Sequence, residues 1–391
     1  MKRILYLATA VLLLAFASCK DDSGVAPQAF SELSYSSDYG AVIITYKVPV
    51  DSNFYYVDVD WTDAAKKPRR VQASVYAADA VTKKVDVTCD GFSDTHDYVF
   101  TLTPYSFDGT PGQSQSITGH ALPPAYEAVL ETIEVSPGLH GAVVTWTNAT
   151  GKNIQIEVRY TEGTQQVSKT FNAPGEQTDG QAVIQGLAPG NQQFVVLTKD
   201  SYNNVSEEKS ASVTVIADLA GEALLDRNIW SVPGYNPASN NATIGYSSQA
   251  VNDNGEVVHL FDDNLNSFWH SSWSNPDLDY PHWLIIDLGR EQTISRVEMC
   301  KRQGSNTSMQ KGYQLQTCTT AGTNYPANNV NPTWTWTEQG TFSFDPTIND
   351  MQSVHVVATP RAQYLRIYFP SSAKGTSKYA MVGELKVYGK D

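Results

Sequence analysis

His259-Leu-Phe-Asp-Asp-Asn-Leu-Asn-Ser-Phe-Trp-His-Ser-Ser-Trp273, followed by Pro281-His-Trp-Leu-Ile-Ile-Asp-Leu-Gly289, decides the reading of this chain. The first segment is a loop rich in acids and amides that runs into a Trp-His pair. The second reads as an alternating apolar strand that ends in Asp287-Leu288-Gly289. Gln363-Tyr-Leu-Arg-Ile-Tyr368 and Gly383-Glu-Leu-Lys-Val-Tyr-Gly389 supply two further strands. Period-two alternation punctuated by Gly, Pro and Asn dominates the rest, and helical periodicity is nearly absent. The chain therefore reads as all-β.

Together these C-terminal segments resemble the discoidin domain (coagulation factor 5/8 type C) and its relatives, the family 32 carbohydrate-binding modules. The resemblance covers residues 218–391 and implies a jelly-roll β-sandwich that binds ligands through loops at one end. Upstream, a repeat appears at the spacing of immunoglobulin-like modules. Gly40-Ala-Val-Ile-Ile-Thr-Tyr46 returns as Gly141-Ala-Val-Val-Thr-Trp146, each strand with one large aromatic to sit between sheets. Cys89-Asp-Gly-Phe92 with Tyr98-Val-Phe-Thr-Leu102 returns as Gln185-Gly-Leu-Ala-Pro189 with Phe194-Val-Val-Leu197. This pairing resembles fibronectin type III, the second copy more closely because the first lacks the proline and has Tyr46 for Trp. The expected fold class is all-β: two tandem fibronectin type III/immunoglobulin-like sandwiches (residues 31–121 and 122–217) followed by a discoidin-like jelly-roll β-sandwich (218–391). The two sandwiches read as spacers.

Residues 1–18 resemble a lipoprotein signal peptide: Lys2 and Arg3, an apolar Ile4–Phe16 stretch too short for an ordinary membrane span, then Ala17-Ser18 before Cys19. The resemblance implies lipidation at Cys19. Lys20-Asp21-Asp22 resembles the acidic tag that sends Bacteroidota lipoproteins to the outer leaflet, so residues 19–30 are expected to be a lipidated tether and the protein an outer-membrane, cell-surface one. The net charge of −14, without a basic stripe, argues against nucleic acid or anionic membrane as partners. The one basic run, Lys66-Lys67-Pro68-Arg69-Arg70, reads as a solvated hairpin turn rather than an anion site. Cys89, Cys300 and Cys318 cannot all pair; Cys300 and Cys318 lie on expected strands, leaving a bridge or, better, buried free thiols open.

In the discoidin-like domain the family commonly places a cation at the acidic loop. Carried over, its ligands become Asp262, Asn264, Ser267 and Glu384, with the His259 and Gly383 carbonyls. This is an oxygen set suited to structural Ca²⁺, against an Asx-rich turn without metal. Asp263 stands where many relatives have Gly. In sugar-binding relatives a His and a later Arg bond ring hydroxyls; the corresponding residues are His270 and Arg302, with Asn306 in the same loop as Arg302. Each is balanced against a core hydrogen-bonding role. Trp273 is the stacking candidate and Tyr379 a second, because a sugar presents an apolar face that an exposed ring covers. Trp269, Trp283, Trp334 and Trp336 read as core or structural, and Tyr325 as a possible extension of the site.

The leading expectation is a non-catalytic lipoprotein that binds glycans, an oligosaccharide or polysaccharide, through its C-terminal domain, with other surface glycan-uptake proteins as further partners. The alternative is an adhesin or scaffold that binds a host or envelope protein. An enzyme is disfavoured: the sequence has no Gly-x-Ser-x-Gly elbow, no His-Glu-x-x-His and no phosphate loop.

Overall fold

The computed structural model describes residues 24–391 except 51–52, 177, 242–243, 305–308, 323–333, 374 and 376. Two compact units emerge: one reaches to Ala128 and takes in Ser201–Asn204, and the other comprises Val129–Asp200 and Val205–Asp391.

In the first unit, Ser31–Asp38, Ala41–Lys47 and Lys84–Asp90 form one antiparallel sheet. Pro68–Ser74, Phe54–Thr62, Tyr98–Ser106 and Gln115–Gly119 form another. Alternate residues turn inward, so Val42, Ile44 and Tyr46 pack with Val57, Val59, Phe100 and Leu102 in one core. The basic run is a turn at Lys66 and Lys67 that continues into a strand at Pro68. Its cations are matched locally, Arg69 by Asp63 and Arg70 by Asp60 and Asp58.

The second unit opens with the same arrangement of three and four strands. Asp179–Gln185, Gly141–Thr147 and Glu134–Gly138 form one sheet, and Gln165–Ala173, Ile154–Glu162, Gly190–Lys199 and Lys209–Val215 the other. The repeat holds at single bonds. Phe92 N donates to Gly40 O at 3.0 Å, and Leu187 N to His140 O at 2.9 Å. In both copies a glycine at positive φ, Gly91 or Gly186, turns the chain into that bond. The missing proline is therefore not required for the turn. Besides four short 3₁₀ segments, one α-helix among the described residues departs from the all-strand expectation, Ala125–Thr132. Its final carbonyls are collected by Lys209 Nζ, at 3.2 Å from Leu130 O, 3.1 Å from Glu131 O and 3.0 Å from Ile133 O. That cap comes from a distant strand, which local periodicity does not register.

The C-terminal domain is built on a seven-stranded antiparallel sheet. Its path runs Ala223–Leu224, Glu384–Lys390, His282–Cys300, Arg361–Phe369, Gly312–Cys318, Thr337–Ser343, with Gln352–His355 paired to His282–Cys300. The His282–Cys300 strand is buried on both faces, which is why Trp283-Leu-Ile-Ile286 is continuously apolar rather than alternating. Leu284 and Ile286 enter the main core with Trp269, Tyr313 and Phe369. Trp283 and Ile285 enter a smaller cluster with Cys318, Trp334 and Tyr364. Trp269–His270 pairs with Met381–Val382 as a short ribbon, tying the acidic loop to the last strand. Cys89, Cys300 and Cys318 are all buried free thiols.

Candidate functional site

Trp269 and Trp273, four residues apart, have opposite fates. Trp269 is wholly buried, its Nε1–H donating to Ser248 O at 2.9 Å and its ring stacked on Phe369. Trp273 is 49% exposed. A buried anchor thus holds the segment while the second ring faces solvent. Further bonds fix the backbone between them. Ser271 N donates to Ala380 O, Ser272 N to Ser248 Oγ, and Asn240 Nδ2 to Ser274 O.

His270 is buried, its Nδ1 against Ser271 O, which assigns the ring proton to Nδ1 and leaves Nε2 as an acceptor. Burial pushes its pKa down, so the neutral form prevails near pH 7. Arg302 lies close enough to His270 to oppose its protonation. The Arg302 guanidinium rests on the Phe268 ring at 3.7 Å and reaches Asp253 at 3.4 Å. The two residues expected from sequence are thus within electrostatic reach of one another, while the direct contacts of Arg302 are with Phe268 and Asp253. Asn306, expected in the same loop, lies outside the described residues, as does Tyr325.

Tyr379 stands 5.7 Å from His270, ring centroid to centroid. Its hydroxyl donates to Asp277 Oδ1 at 3.2 Å, and Lys378 Nζ bonds Asp277 Oδ2 at 3.0 Å. These contacts hold the Asp277 carboxyl below its ordinary pKa, Lys378 first among the causes. Two groups pin the backbone beneath: the half-buried Tyr280 donates its OH to Tyr379 O at 2.6 Å, and buried His282 Nε2 donates to Lys378 O at 2.7 Å. His282 Nδ1 then accepts from Ser247 Oγ at 3.0 Å. Neither Asp277 nor His282 is marked out by any motif in the sequence. Lys378 and Asp277 are about a hundred residues apart, and nothing local signals their pairing.

In the acidic loop, Asp262, Asn264 and Ser267 converge. Ser267 Oγ is 2.8 Å from each Asp262 carboxylate oxygen and 2.7 Å from Asn264 O. Asp263 takes φ +61°, the left-handed conformation glycine adopts most easily. Its charge is met by Arg227, which also bonds Glu384 Oε1 at 2.7 Å. Glu384 is fully buried, and its Oε2 has no partner within the protein. Burial pushes its pKa up to about 7, with Asp262 adding to the rise.

This donor set fits a hard cation on two observations: the oxygens of Asp262, Asn264 and Ser267 converge, and a buried carboxylate oxygen is unpartnered. Asp262, Asp263 and Glu384 against Arg227 leave two formal negative charges when all are ionised. Among the described residues no group of three or more His, Cys, Asp or Glu is placed to hold a metal. Hydroxyl and carbonyl oxygens would therefore complete the shell. His259 Nδ1 is engaged with Asn254 O at 2.9 Å, which leaves its backbone carbonyl as the candidate donor. Gly383 packs so closely that an added Cβ would lie 2.5 Å from Lys301 O.

Residues 243–385 match the F5/8 type C domain family, and residues 122–220 match a domain of unknown function, DUF5126. The C-terminal domain is thus an F5/8 type C domain. Among curated proteins the chain is similar to a sialidase of Micromonospora viridifaciens, 28% identical over 221 residues, which cover 55% of this chain and 29% of the sialidase. It is also similar to the lacto-N-biosidase of Bifidobacterium bifidum, 26% identical over 110 residues, or 28% of this chain and 10% of that protein. The chain thus spans less than a third of either relative. Among solved structures, a SusE-like protein is 19% identical at a TM-score of 0.40, covering 68% of this chain and 99% of that one. The family 32 carbohydrate-binding module of C. perfringens NanJ, solved in complex with galactose, is 17% identical at a TM-score of 0.32, covering 43% and 98%.

Proposed function

We propose that this chain is a non-catalytic glycan-binding protein whose F5/8 type C domain takes sugar at the Trp273 loop. The observation that carries the reading is the half-exposed Trp273 ring on a backbone fixed by buried Trp269, beside polar groups already held in place. A sugar ring laid on Trp273 would cover its apolar face, and its rim hydroxyls would meet acceptors and donors from His270, Arg302 and the Tyr379–Asp277 pair. Affinity per site should be weak, since so few anchors leave little surplus over the cost of ordering.

Two further parts belong to the proposal. Ca²⁺ would be held by Asp262, Asn264, Ser267, Glu384 and the carbonyls of His259 and Gly383, supplying positive charge that clips the loop to the last strand. Lipidation at Cys19 would anchor the chain at the outer membrane, facing outward, with the two sandwiches as spacers and many copies giving avidity.

A glycan array probed with the chain from Ser23 onward, with calcium and then with chelator, tests the reading. Hits that vanish in a folded Trp273→Ala variant support it. A blank from folded, calcium-loaded protein overturns it and turns attention to a protein partner. Sustained release of sugar from an array glycan by the pure protein would overturn the non-catalytic part.

A further inference from the structure

Within the second unit, the middle sandwich and the C-terminal domain are joined tightly at one end. Leu139 N donates to Val357 O at 3.0 Å, and His140 stacks on His355 at 4.3 Å. Gly138 and Gly141 sit so close to Val357 that added Cβ atoms would overlap it, at 2.5 and 2.8 Å from its Cγ1. Running out from this joint are two strands at the edges of their sheets, Asp179–Gln185, whose Gln185 pairs with Gly141, and Thr337–Ser343. Beside them open three adjoining cavities of about 460, 600 and 650 Å³. Gln181 lines all three, and Trp146 lines the two larger ones.

The walls of this gap carry an unusual set of unpaired groups. Trp146 Nε1, Gln181 Nε2, Gln185 Nε2, Trp336 Nε1 and Gln339 Oε1 are all buried without a protein partner, as is Nε1 of Trp334, which stacks on Trp336 at 5.0 Å. Trp146 is 6% exposed and Gln339 1%. An unpaired buried polar group costs stability, and native proteins hold few of them. Five of these, all but Trp334, line the gap, more than a sealed interface would retain.

We infer that this gap is a second binding site, for a neutral polyhydroxylated ligand such as a stretch of oligosaccharide. The chemistry selects that class. Four of the five unpaired groups lining the gap donate and one accepts, which suits hydroxyls, since each accepts twice and donates once. An anion would also satisfy donors, but the three acids lining the gap, Glu134, Asp179 and Glu338, outnumber its two cations, Lys169 and Arg361, and leave it no net positive charge. Trp146 and Trp336 present ring edges rather than free faces, since Trp146 is 6% exposed and Trp336 lies between Trp334 and the Arg366 guanidinium, so they act here as N–H donors. The glutamine amides reach the cavities by rotation about their terminal torsion, which is soft. These observations are independent of the Trp273 loop.

The test is isothermal calorimetry on the chain from Ser23 onward, using neutral oligosaccharides of the α-glucan, β-glucan, mannan, galactan and xylan series. Four proteins are compared: wild type, Trp273→Ala, the pair Gln181→Ala/Gln185→Ala, and all three changes together. Gln181→Glu, which keeps the shape and adds a repelled charge, serves as a second variant should the alanine pair unfold. The Trp273→Ala chain is expected to retain binding to at least one series. The glutamine changes should then weaken that residual binding about tenfold, the loss of two neutral hydrogen bonds. Loss of all binding in Trp273→Ala refutes the gap and upholds the loop, as does residual binding that ignores the glutamine changes. Binding untouched by Trp273→Ala but removed by the glutamine changes upholds the gap and refutes the loop. No binding by the wild type overturns the gap outright.

Discussion

The buried carboxyl of Glu384 would make the proposed calcium binding a function of pH, and the size of that dependence follows from the structure. One Glu384 oxygen is bonded to Arg227 and the other has no protein partner, so burial outweighs the guanidinium and lifts the pKa from 4.5 to about 7. A carboxyl whose folded pKa exceeds its unfolded value contributes stability that is full below pH 4.5 and is lost as pH rises through 7. At about 1.4 kcal/mol per pH unit, holding Glu384 ionised in the metal-free fold at pH 8 costs on the order of 3 kcal/mol. A cation beside Oε2 reverses that cost, but it must first displace the proton.

Proton competition sets the number to measure. With a pKa of about 7, the protonated fraction weakens apparent calcium affinity roughly thirtyfold at pH 5.5 and hardly at all at pH 8. At pH 6 each bound ion should release about 0.9 proton, countable by calorimetry in buffers of different ionisation enthalpy. Glu384→Gln, which keeps the shape and cannot ionise, should bind calcium far more weakly and lose the pH dependence between 5.5 and 8. Equal affinity at the two pH values, or no calcium binding at either, would refute the reasoning. In the second case the loop is an Asx turn whose charge is met by Arg227 alone.

Two further expectations rest on packing. Gly389 lies where an added Cβ would be 1.7 Å from Thr293 O, so Gly389→Ala should part the last strand from His282–Cys300 and cost more than about 2 kcal/mol in urea unfolding, while Lys390→Ala on the exposed neighbour should be nearly silent. Burial pushes the Cys89 thiol up to about 12 and raises that of Cys300, so native protein at pH 8 should leave Cys89, Cys300 and Cys318 unlabelled by a thiol reagent and denatured protein should expose all three; two missing after denaturation would mean a Cys300–Cys318 bridge.

What the chain discloses in advance follows from how far each interaction reaches along it. Trp283-Leu-Ile-Ile286 is legible as a strand because its apolar residues are consecutive, although its burial on both faces, rather than in alternation, comes only from the layers packed around it. The repeat of Tyr46 and Trp146 is legible because one packing problem was solved twice at one spacing. Asp263 at positive φ is also local, a departure from glycine visible inside a single turn. The site's electrostatics are not local. Arg227 and Glu384 are 157 residues apart, and Asp277 meets Lys378 across 101; no window of sequence holds both members of either pair. The split between Trp269 and Trp273 lies between these cases. Their spacing in a loop fixes no common face, so only the Ser248 carbonyl and the Phe369 ring, supplied from elsewhere, decide which indole is anchor and which is plate. The same reach explains the unpaired groups at the gap. Gln181 and Gln185 on one strand and Gln339 on another read from sequence as ordinary polar positions of alternating strands. They become a candidate site only where the fold sets two sheet edges beside one another, and that is where mutation most directly separates a ligand-bearing gap from an imperfectly closed seam.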